Sequence, residues 1–429
     1  MDQVIAFFSF ADINTRFVVL GSMLLAVSTA VVGCFSFLRN RSLSGDAVAH
    51  AVLPGICLSF MLTGTKNPIY LLIGAFITGW LSLLASDYLK RKTKLKEDTT
   101  IAIVLSVFFG IGIVLLTAIQ QSGEASQSGL DKFLFGQAAS LVGPDLIVFA
   151  SLAIVLLLAT FLFFKEFTLL SFDKGYAVCL GLPVKFLEIL LSSLTVLAIV
   201  TGIQAVGVVL MAAMLITPAA GARFWTDSLV KMIWIAALLG AVSGFAGAFI
   251  SYVGPGLPTG PWIVMVLSGL AILSFFFAPK KGVLFLYLNQ QKHRRKILTE
   301  NVLKAFFHAG EVEELHKNAK TEAEIQVIRP MKQEELVYAL KLLRRSYLVR
   351  KTGTTTWQLT DKGFIQAKRV AKLHRLWELY LATYLNLPPD HIHDNAETIE
   401  HIITPQVEQW LEQQLNYPKT DPHGETIPY

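Results

Sequence analysis

Runs of about 20 residues without a charged side chain dominate the first 279 residues, and a helix of that length spans a bilayer core. Residues 1–279 contain 28 Asp, Glu, Lys and Arg residues, whereas residues 280–429 contain 40. Soluble domains carry roughly 25% charged residues, which the second part matches and the first does not. We therefore expect a membrane part followed by a soluble part, which excludes a single globular domain, a secreted protein and a disordered chain.

Nine membrane spans are predicted from the charge-free windows. Seven are separate: Phe17–Leu38, Ala47–Thr63, Ile69–Ser86, Thr99–Ile119, Pro144–Phe164, Met232–Val253 and Pro261–Ala278. The stretch Ile189–Ala222 is 34 residues long. As one helix it would measure about 51 Å at 1.5 Å per residue, so we expect two crossings with a break near Gly202–Gly207. Val4–Phe10 is too short to span and is interpreted as interfacial, with a tenth half-crossing as the alternative.

Lys and Arg are distributed unevenly between the loops. Fourteen fall in segments 39–45, 88–98, 165–186, 223–231 and 280–281, and three fall in the segments on the opposite side. Basic loops resist translocation, so the first set is predicted to face the cytoplasm. The chain is then a multi-pass protein of the inner (plasma) membrane with a cytoplasmic C-terminal domain.

One acid and one histidine mark the membrane part. His50 is the only one of nine histidines before residue 280, and it follows Asp46 by four residues in Ser44-Gly-Asp-Ala-Val-Ala-His-Ala-Val-Leu-Pro-Gly55. That spacing places both on one helical face, and ionisable groups within a span are functional candidates by default. A carboxylate with an imidazole suits Mn, Zn or Fe. Alternatively, Asp46 caps the second span and His50 hydrogen-bonds a neighbouring carbonyl.

Two further segments have distinctive compositions. Val206–Ala222 is rich in small residues and contains Pro218, which permits close helix packing. The loop Leu170-Ser-Phe-Asp-Lys-Gly-Tyr-Ala-Val-Cys-Leu-Gly181 is interpreted as a short amphipathic helix against a partner, with Asp173, Ala177 and Gly181 at four-residue steps. The sequence contains no Gly-x-x-x-x-Gly-Lys-Ser/Thr phosphate-binding motif. We therefore expect no enzymatic activity here, and any energy for its function must come from elsewhere.

These three segments together resemble the membrane subunit of the manganese/zinc/iron class of ABC importers over residues 1–279. The resemblance implies a homo- or heterodimer with a second permease subunit, an extracytoplasmic solute-binding protein and a cytoplasmic ABC ATPase. It also implies that Asp46 and His50 hold the metal in transit. The loop carrying Asp173, Ala177 and Gly181 would be the coupling helix that binds the ATPase.

The soluble part has the pattern of a winged helix followed by a metal-binding helical region. We predict helices over Ile297–His308, Glu311–Ala319 and Met331–Ser346, two strands within Val349–Leu359, and a helix over Asp361–Leu385. Six potential ligands then line two helices: His374, Glu378, His393, Glu397, Glu400 and His401. The last four fall within about a third of a helical circumference at 100° per residue, which favours a metal site over satisfied core histidines.

This part resembles the diphtheria toxin repressor family of iron- and manganese-dependent regulators over residues 297–429. The resemblance rests on Leu373-His-Arg-Leu-Trp-Glu-Leu-Tyr-Leu381, Ile392-His-Asp-Asn-Ala-Glu-Thr-Ile-Glu-His401 and Asp421-Pro-His-Gly-Glu-Thr-Ile-Pro428. It implies dimerisation, places the metal ligands on the six residues above, and makes a divalent metal a regulatory ligand. The first helix departs from the family pattern, because Asn301 and Lys304 stand where acidic or thioether ligands are usual.

DNA is a candidate partner of the soluble part. Lys332, Gln333, Lys341 and Arg344 lie on the helix that would enter a groove, and basic residues attract phosphate. Glu334 and Glu335 oppose that attraction. The alternative is a tail that senses metal and reports to the transporter, with its winged helix as scaffold.

We predict an all-α polytopic membrane protein with about nine spans, followed by a cytoplasmic winged helix and a helical dimerisation and metal-binding domain. The predicted segments are 1–279 permease, 280–296 basic linker, 297–366 winged helix and 367–429 metal-binding domain. The predicted function is ABC import of Mn, Fe or Zn with a metal-sensing tail. One alternative is a membrane-tethered metal-dependent transcription regulator whose spans are mainly an anchor; another is an importer of chelated cobalamin or siderophore iron.

Overall fold

The structure, a computed structural model, describes residues 2–10, 12–39, 41–65, 67–121, 136, 143–254, 256–313, 318–385, 401 and 403–429. It divides into two compact units, Met1–Phe285 and Leu286–Tyr429. Both units are mainly helical, and each has its own hydrophobic core. The division into four segments that we predicted from the sequence stays a prediction.

The described helices of the first unit run in chain order as follows: α1 Asp2–Ser9, α2 Ile13–Leu38, α3 Ser42–Thr63, α4 Pro68–Lys92, α5 Glu97–Gln121, α6 Gly143–Leu162, α7 Phe164–Phe172, α8 Lys174–Cys179, α9 Val184–Val206, α10 Val208–Trp225, α11 Leu229–Val253 and α12 Thr259–Phe277. Helix α13, Val283–Glu313, continues from the first unit into the second. The core of the first unit is built mainly from α3, α9 and α10.

Membrane-spanning length and composition recur along the first unit. Among the described residues, eight helices are long and apolar enough to cross a bilayer, and a ninth span is formed if α6 and α7 are counted as one bent pair. Those two helices meet at an angle of 69°. The prediction of an all-α membrane part with about nine spans is confirmed.

The long charge-free stretch breaks where the sequence predicted it would. Helix α9 ends at Val206 and α10 begins at Val208. Gly207 between them has φ +89° and ψ 163°, a backbone conformation that is essentially restricted to glycine. The break therefore follows from a residue without a Cβ atom at the position where the chain turns.

The N-terminal apolar patch forms helix α1, which packs on the bundle. Phe7 is buried, and its ring contacts Phe245 and Phe249 of α11 at centroid distances of 5.7 and 5.1 Å. At eight residues α1 is too short to cross a bilayer.

The second unit contains a three-stranded antiparallel sheet and five described helices, including the C-terminal part of α13. Its elements after α13 are β1 Lys320–Thr321, α14 Glu322–Ile328, α15 Gln333–Arg345, β2 Val349–Lys351, β3 Thr356–Leu359, α16 Asp361–Leu385 and α17 Pro405–Gln414. The strand order is β1-β3-β2. Helix α15 buries Leu336, Ala339, Leu340 and Leu343 at helical spacing. The strand pair and the helix over 361–385 were predicted from the sequence, and the helix predicted over Met331–Ser346 spans Gln333–Arg345.

One local prediction was wrong. Two helices were expected over Ile297–His308 and Glu311–Ala319, but α13 is continuous to Glu313, and Lys320 begins a strand. Ala309, which lies between the two predicted helices, is buried. Packing at this position therefore accompanies a continuous helix where the sequence predicted a break. The helix predicted to carry His393, Glu397 and Glu400 lies outside the described residues.

Candidate metal sites and coupling surface

Asp46 and His50 lie on one face of α3, one and two turns after its first residue. Asp46 Oδ1 and His50 Nε2 are 3.6 Å apart. The His50 side chain is 17% exposed and that of Asp46 is 41% exposed. The helical spacing therefore brings the two groups together as predicted, near the start of α3 rather than at its middle.

The gap between the two side chains is longer than a hydrogen bond and matches a shared cation. Two donors bound to one tetrahedral ion at about 2.0–2.1 Å lie about 3.4 Å apart. Nδ1 of His50 is buried and has no hydrogen-bond partner among the described residues. A buried polar nitrogen without a partner costs free energy, which a cation bound directly to Nδ1 would offset, whereas a cation on Nε2 would leave Nδ1 as an N–H donor. These donors therefore fit a divalent ion as cargo.

Two other helices pack beside the part of α3 that carries Asp46 and His50. The ring of Phe109 in α5 meets the imidazole edge to face at 4.8 Å between centroids. A Cβ atom at Gly45 would lie 3.0 Å from Leu215 of α10, and one at Gly33 of α2 would overlap the Leu215 backbone. Gly33 and Gly45 thus let α2 and the start of α3 approach α10, while Phe109 gives the imidazole an apolar neighbour.

The loop Leu170–Gly181, predicted to couple to an ATPase, begins in the last residues of α7 and continues through Asp173 and the short α8. Asp173 Oδ1 accepts a hydrogen bond from the Tyr176 backbone N–H at 2.8 Å, which caps α8. Ala177 is fully buried, and Gly181 has φ +75° just after the helix. The three residues that the sequence pattern singled out therefore shape the segment.

The exposed surface of this segment is formed by other side chains. Phe172, Tyr176, Val178 and Leu180 are each between 55% and 60% exposed. Apolar side chains exposed together mark an interaction surface more often than isolated ones do. The four-residue spacing in the sequence did not identify these four side chains, because it selected the capping and buried positions Asp173 and Ala177. The signal that could have identified them is their apolar character within a short loop.

In the tail, two of the six predicted ligands contact each other within α16. His374 Nε2 and Glu378 Oε1 are 3.0 Å apart, and both side chains are almost fully buried. Lys304 Nζ lies 3.4 Å from His374 Nδ1 and is 4% exposed. An ammonium only donates hydrogen bonds, so Nδ1 accepts and Nε2–H of the neutral imidazole donates to Glu378. The donor set suits a metal ion, while the Lys304 charge opposes one.

His401 has a different carboxylate beside it. Its Nδ1 lies 2.7 Å from Oε2 of Glu300 on α13, and Lys296 Nζ donates to its backbone oxygen at 2.6 Å. Among the described residues, no group of three or more His, Cys, Asp and Glu side chains is arranged to hold a metal. Since His393, Glu397 and Glu400 lie outside those residues, the full predicted ligand set is not tested. The sequence pattern did not identify Glu300.

A cavity of about 420 Å³ borders the His374 and Glu378 pair and holds a second charged cluster. Arg375 donates to both oxygens of Glu311, at 2.8 and 2.7 Å, and to the Thr426 carbonyl at 2.6 Å. Burial alone would raise the pKa of Glu311, but hydrogen bonds from His308 and Arg375 outweigh it and lower the pKa to about 2. This cluster ties the C-terminal segment to α13 and α16.

The candidate DNA-binding residues lie along α15. Lys332, Lys341 and Arg344 are exposed, whereas the Gln333 amide donates to Glu322 at 2.6 Å. Glu335 forms an ion pair with Arg294 at 3.1 Å, so the negative charge of one of the two acids that would repel DNA is partly neutralised. Glu334 stays exposed.

Comparison with known proteins finds a family match in each of the two units. Residues 12–278 match the model of the ABC 3 transport family, and residues 360–429 match the iron dependent repressor, metal binding and dimerisation domain. The manganese transport system membrane protein MntC of Bacillus subtilis is 44% identical over 374 residues, covering 87% of this chain and 85% of that protein. An alignment of 374 residues exceeds the first unit, so this relative shares part of the tail.

Two further proteins match the first unit. The zinc transport system membrane protein TroC of Treponema pallidum is 44% identical over 276 residues, covering 64% of this chain and 93% of that protein. The solved structure of PsaBC from Streptococcus pneumoniae in complex with Fab is 35% identical, with a TM-score of 0.60, over 66% of this chain and 99% of that chain. The chain therefore belongs to the ABC 3 transport family as a multi-pass metal-transport permease, and it carries a C-terminal domain of the iron dependent repressor type.

Proposed function

We propose that the chain is the membrane subunit of an ABC importer for a divalent first-row metal ion, with Asp46 and His50 as its transient ligands. The observation that carries this proposal is the 3.6 Å separation of Oδ1 and Nε2 on α3. The relatives' names give manganese and zinc as cargo. A tetrahedral zinc site and a manganese site can use the same donors, so the ion is set by geometry and availability.

Uptake of Mn²⁺ and Zn²⁺ into cells tests the transport site. Asp46→Ala and His50→Ala should each lower uptake at least about tenfold, since even residues that only support a metal ligand are worth that much. Asp98→Ala is the matched control, because Asp98 is exposed at the first turn of α5 and should leave uptake unchanged. Normal uptake by either site variant at equal membrane abundance would remove the proposal.

The partners follow from the same function. A separate ATPase subunit would bind the coupling surface formed by Phe172, Tyr176, Val178 and Leu180. An extracytoplasmic solute-binding protein would deliver the ion, and a second permease subunit would complete the path.

Co-purification tests the ATPase contact. Tyr176→Asp should abolish co-purification of the ATPase, because a charge in an apolar contact is costly. Tyr287→Asp, at a residue as exposed as Tyr176 but outside the segment, is the control. Loss of ATPase in both variants would contradict this assignment.

For the tail, we propose a cytoplasmic metal-responsive domain that uses His374 and Glu378. A bound divalent ion would supply positive charge that holds these side chains and the dimerisation region in one arrangement. The Asp46→Ala/His50→Ala double variant removes the transport ligands, so calorimetry of that full chain with Mn²⁺, Zn²⁺ or Fe²⁺ reports on the tail. Adding Glu378→Ala should abolish the remaining heat of binding, and an unchanged heat would assign it to other residues.

DNA binding is the second candidate role of the tail. The exposed Lys332, Lys341 and Arg344 favour it, and removing one cation that binds a phosphate should reduce the salt dependence of binding by about one unit. A gel shift with the upstream region of the chain's own operon, repeated with Lys341→Glu and Arg344→Glu, separates a DNA-binding domain from a scaffold. Absence of a shift at low salt would leave the tail as a metal-responsive regulator of transport.

A further inference from the structure

A large cavity opens at the end of the first unit where α3 begins, α4 ends and α9 begins. Its volume is about 850 Å³. Five cationic side chains line it, namely Arg41, Lys90, Arg91, Lys174 and Lys185, together with two acidic ones, Asp87 and Glu188. We call this cavity the basic pocket. The lining side chains therefore carry a net charge of +3.

Three of the five cations are partly neutralised by carboxylates. Arg41 lies 3.7 Å from Asp87, Lys174 lies 2.8 Å from Glu188, and Lys90 pairs with Glu97 outside the pocket. Arg91 and Lys185 form no ion pair with any residue that the structure describes. The pocket therefore offers two uncompensated cations, one from α4 and one from α9.

Part of the lining of the basic pocket is apolar. Trp80 and Leu84 of α4 and Ile189 of α9 line it, and all three belong to helices that qualify as membrane spans. Leu84 and Ile189 are about half exposed in this unit. Trp80 Nε1 donates a hydrogen bond to Ser193 Oγ at 2.9 Å, which links the indole of α4 to α9. Tyr88 lies at the rim, where aromatic rings favour the level of the lipid headgroups.

We propose that the basic pocket binds an anionic phospholipid, with its headgroup phosphate between Arg91 and Lys185 and its acyl chain along Trp80, Leu84 and Ile189. Basic pockets between membrane helices are a recurrent form of anionic headgroup site. The guanidinium of Arg91 can bind phosphate through two hydrogen bonds, and Lys185 supplies a point charge. A soluble anion would leave the apolar wall unused, whereas a phospholipid covers both parts of the pocket.

The position of Lys174 links this site to coupling. Lys174 follows the α8 cap at Asp173, and its ammonium group pairs with Glu188 inside the basic pocket. A headgroup phosphate there would compete with Glu188 for that ammonium. Anionic lipid is therefore expected to alter the position of the coupling segment, independently of metal binding at Asp46 and His50.

Native mass spectrometry of the full chain tests the proposal. The chain is reconstituted with a mixture of phosphatidylcholine and phosphatidylglycerol, and the lipids retained after gentle delipidation are compared. Arg91→Glu/Lys185→Glu should lower retention of phosphatidylglycerol at least about tenfold, with phosphatidylcholine unchanged. Lys94→Glu/Lys96→Glu is the matched control, because these exposed lysines lie in the same basic segment but outside the pocket. If both double variants lose lipid equally, a diffuse surface charge is responsible and the proposal fails.

Two further measurements distinguish a bound phospholipid from other occupants of the basic pocket. Inorganic phosphate should not displace phosphatidylglycerol, and displacement would show a site for free phosphate instead of lipid. Adding the ATPase subunit should leave the lipid bound, while its complete release would assign the pocket to a protein interface. If the double reversal lowers membrane abundance, Arg91→Gln/Lys185→Gln provides the same comparison with a smaller change in charge. Unchanged retention in that variant would also overturn the proposal.

Discussion

Gly55 of α3 and Gly74 of α4 cross so closely that neither position has room for a side chain. A Cβ atom at Gly55 would lie 2.1 Å from the Gly74 carbonyl oxygen, and one at Gly74 would lie 2.4 Å from the Gly55 carbonyl oxygen. Both distances are far below van der Waals contact. This contact fixes α4 against the helix that carries Asp46 and His50.

Gly55→Ala should therefore destabilise the first unit by ~1–3 kcal/mol, the usual cost of overpacking a well-packed contact. Thermal unfolding of the purified chain measures this cost. Gly110→Ala is the control, because a Cβ atom there meets no heavy atom within 4 Å. Equal melting temperatures for the two variants would contradict the close approach.

The cap of α8 predicts a graded effect at Asp173. Asp173→Ala removes the side-chain acceptor for the Tyr176 N–H and should cost ~1 kcal/mol of local stability, whereas Asn caps nearly as well as Asp. We expect Asp173→Ala to reduce metal uptake and ATP hydrolysis by the assembled importer, and Asp173→Asn to retain both. If Asn fails as Ala does, the carboxylate has a role other than capping.

Removing the charge of Lys304 is expected to raise the metal affinity of the tail. Lys304→Met keeps the length of the side chain but removes a charge next to His374. Since like charges ~4 Å apart repel by a few kcal/mol in partly buried surroundings, Mn²⁺ affinity of the tail should rise at least about tenfold. The metal-free tail should become less stable, because the buried Nδ1 of His374 then loses its hydrogen bond from Lys304.

Calorimetry of the chain lacking Asp46 and His50 measures this change in affinity. Lys292→Met is the matched control, because Lys292 is an exposed lysine on the same helix, α13. An affinity that rises equally in both variants would reflect net charge, and one that does not rise in Lys304→Met would contradict the prediction.

The lowered pKa of Glu311 predicts how the stability of the tail depends on pH. In the folded tail the pKa is about 2, against an ordinary value of 4.5, so folding favours the ionised carboxylate. The contribution of Glu311 is complete above the ordinary value and is lost as the pH falls towards 2. Glu311→Gln should destabilise residues 286–429 by ~2 kcal/mol at neutral pH, with a gap that closes across that acidic range.

Thermal unfolding of residues 286–429, which form their own core, measures this gap. Glu425→Gln is the control, because the Glu425 side chain is 63% exposed and lies 3.7 Å from Arg375. It should change stability little at any pH. A gap for Glu311→Gln that does not depend on pH would show that its ionisation is not what stabilises the cluster.

The membrane spans, the break at Gly207 and the tail elements from Gln333 to Leu385 were predictable from the sequence, because they depend on local physics. Charge-free windows set span length, glycine alone permits the φ of +89° at residue 207, and helical spacing fixes Asp46 against His50. Helix α16 was predicted with the bounds Asp361–Leu385 that the structure has. In each case the determining residues lie within a few turns of one another.

Contacts between distant segments were decided only by the tertiary structure. The approach of Lys304 to His374 joins residues 70 positions apart, and that of Glu300 to His401 joins residues 101 positions apart. The basic pocket likewise combines the C-terminal end of α4 with the N-terminal end of α9, and which side chains around α8 are exposed depends on the packing that buries Ala177. Sequence periodicity reports which face of one helix is apolar, but it carries no information about which other helix packs there, and the pairing of charges follows from that packing.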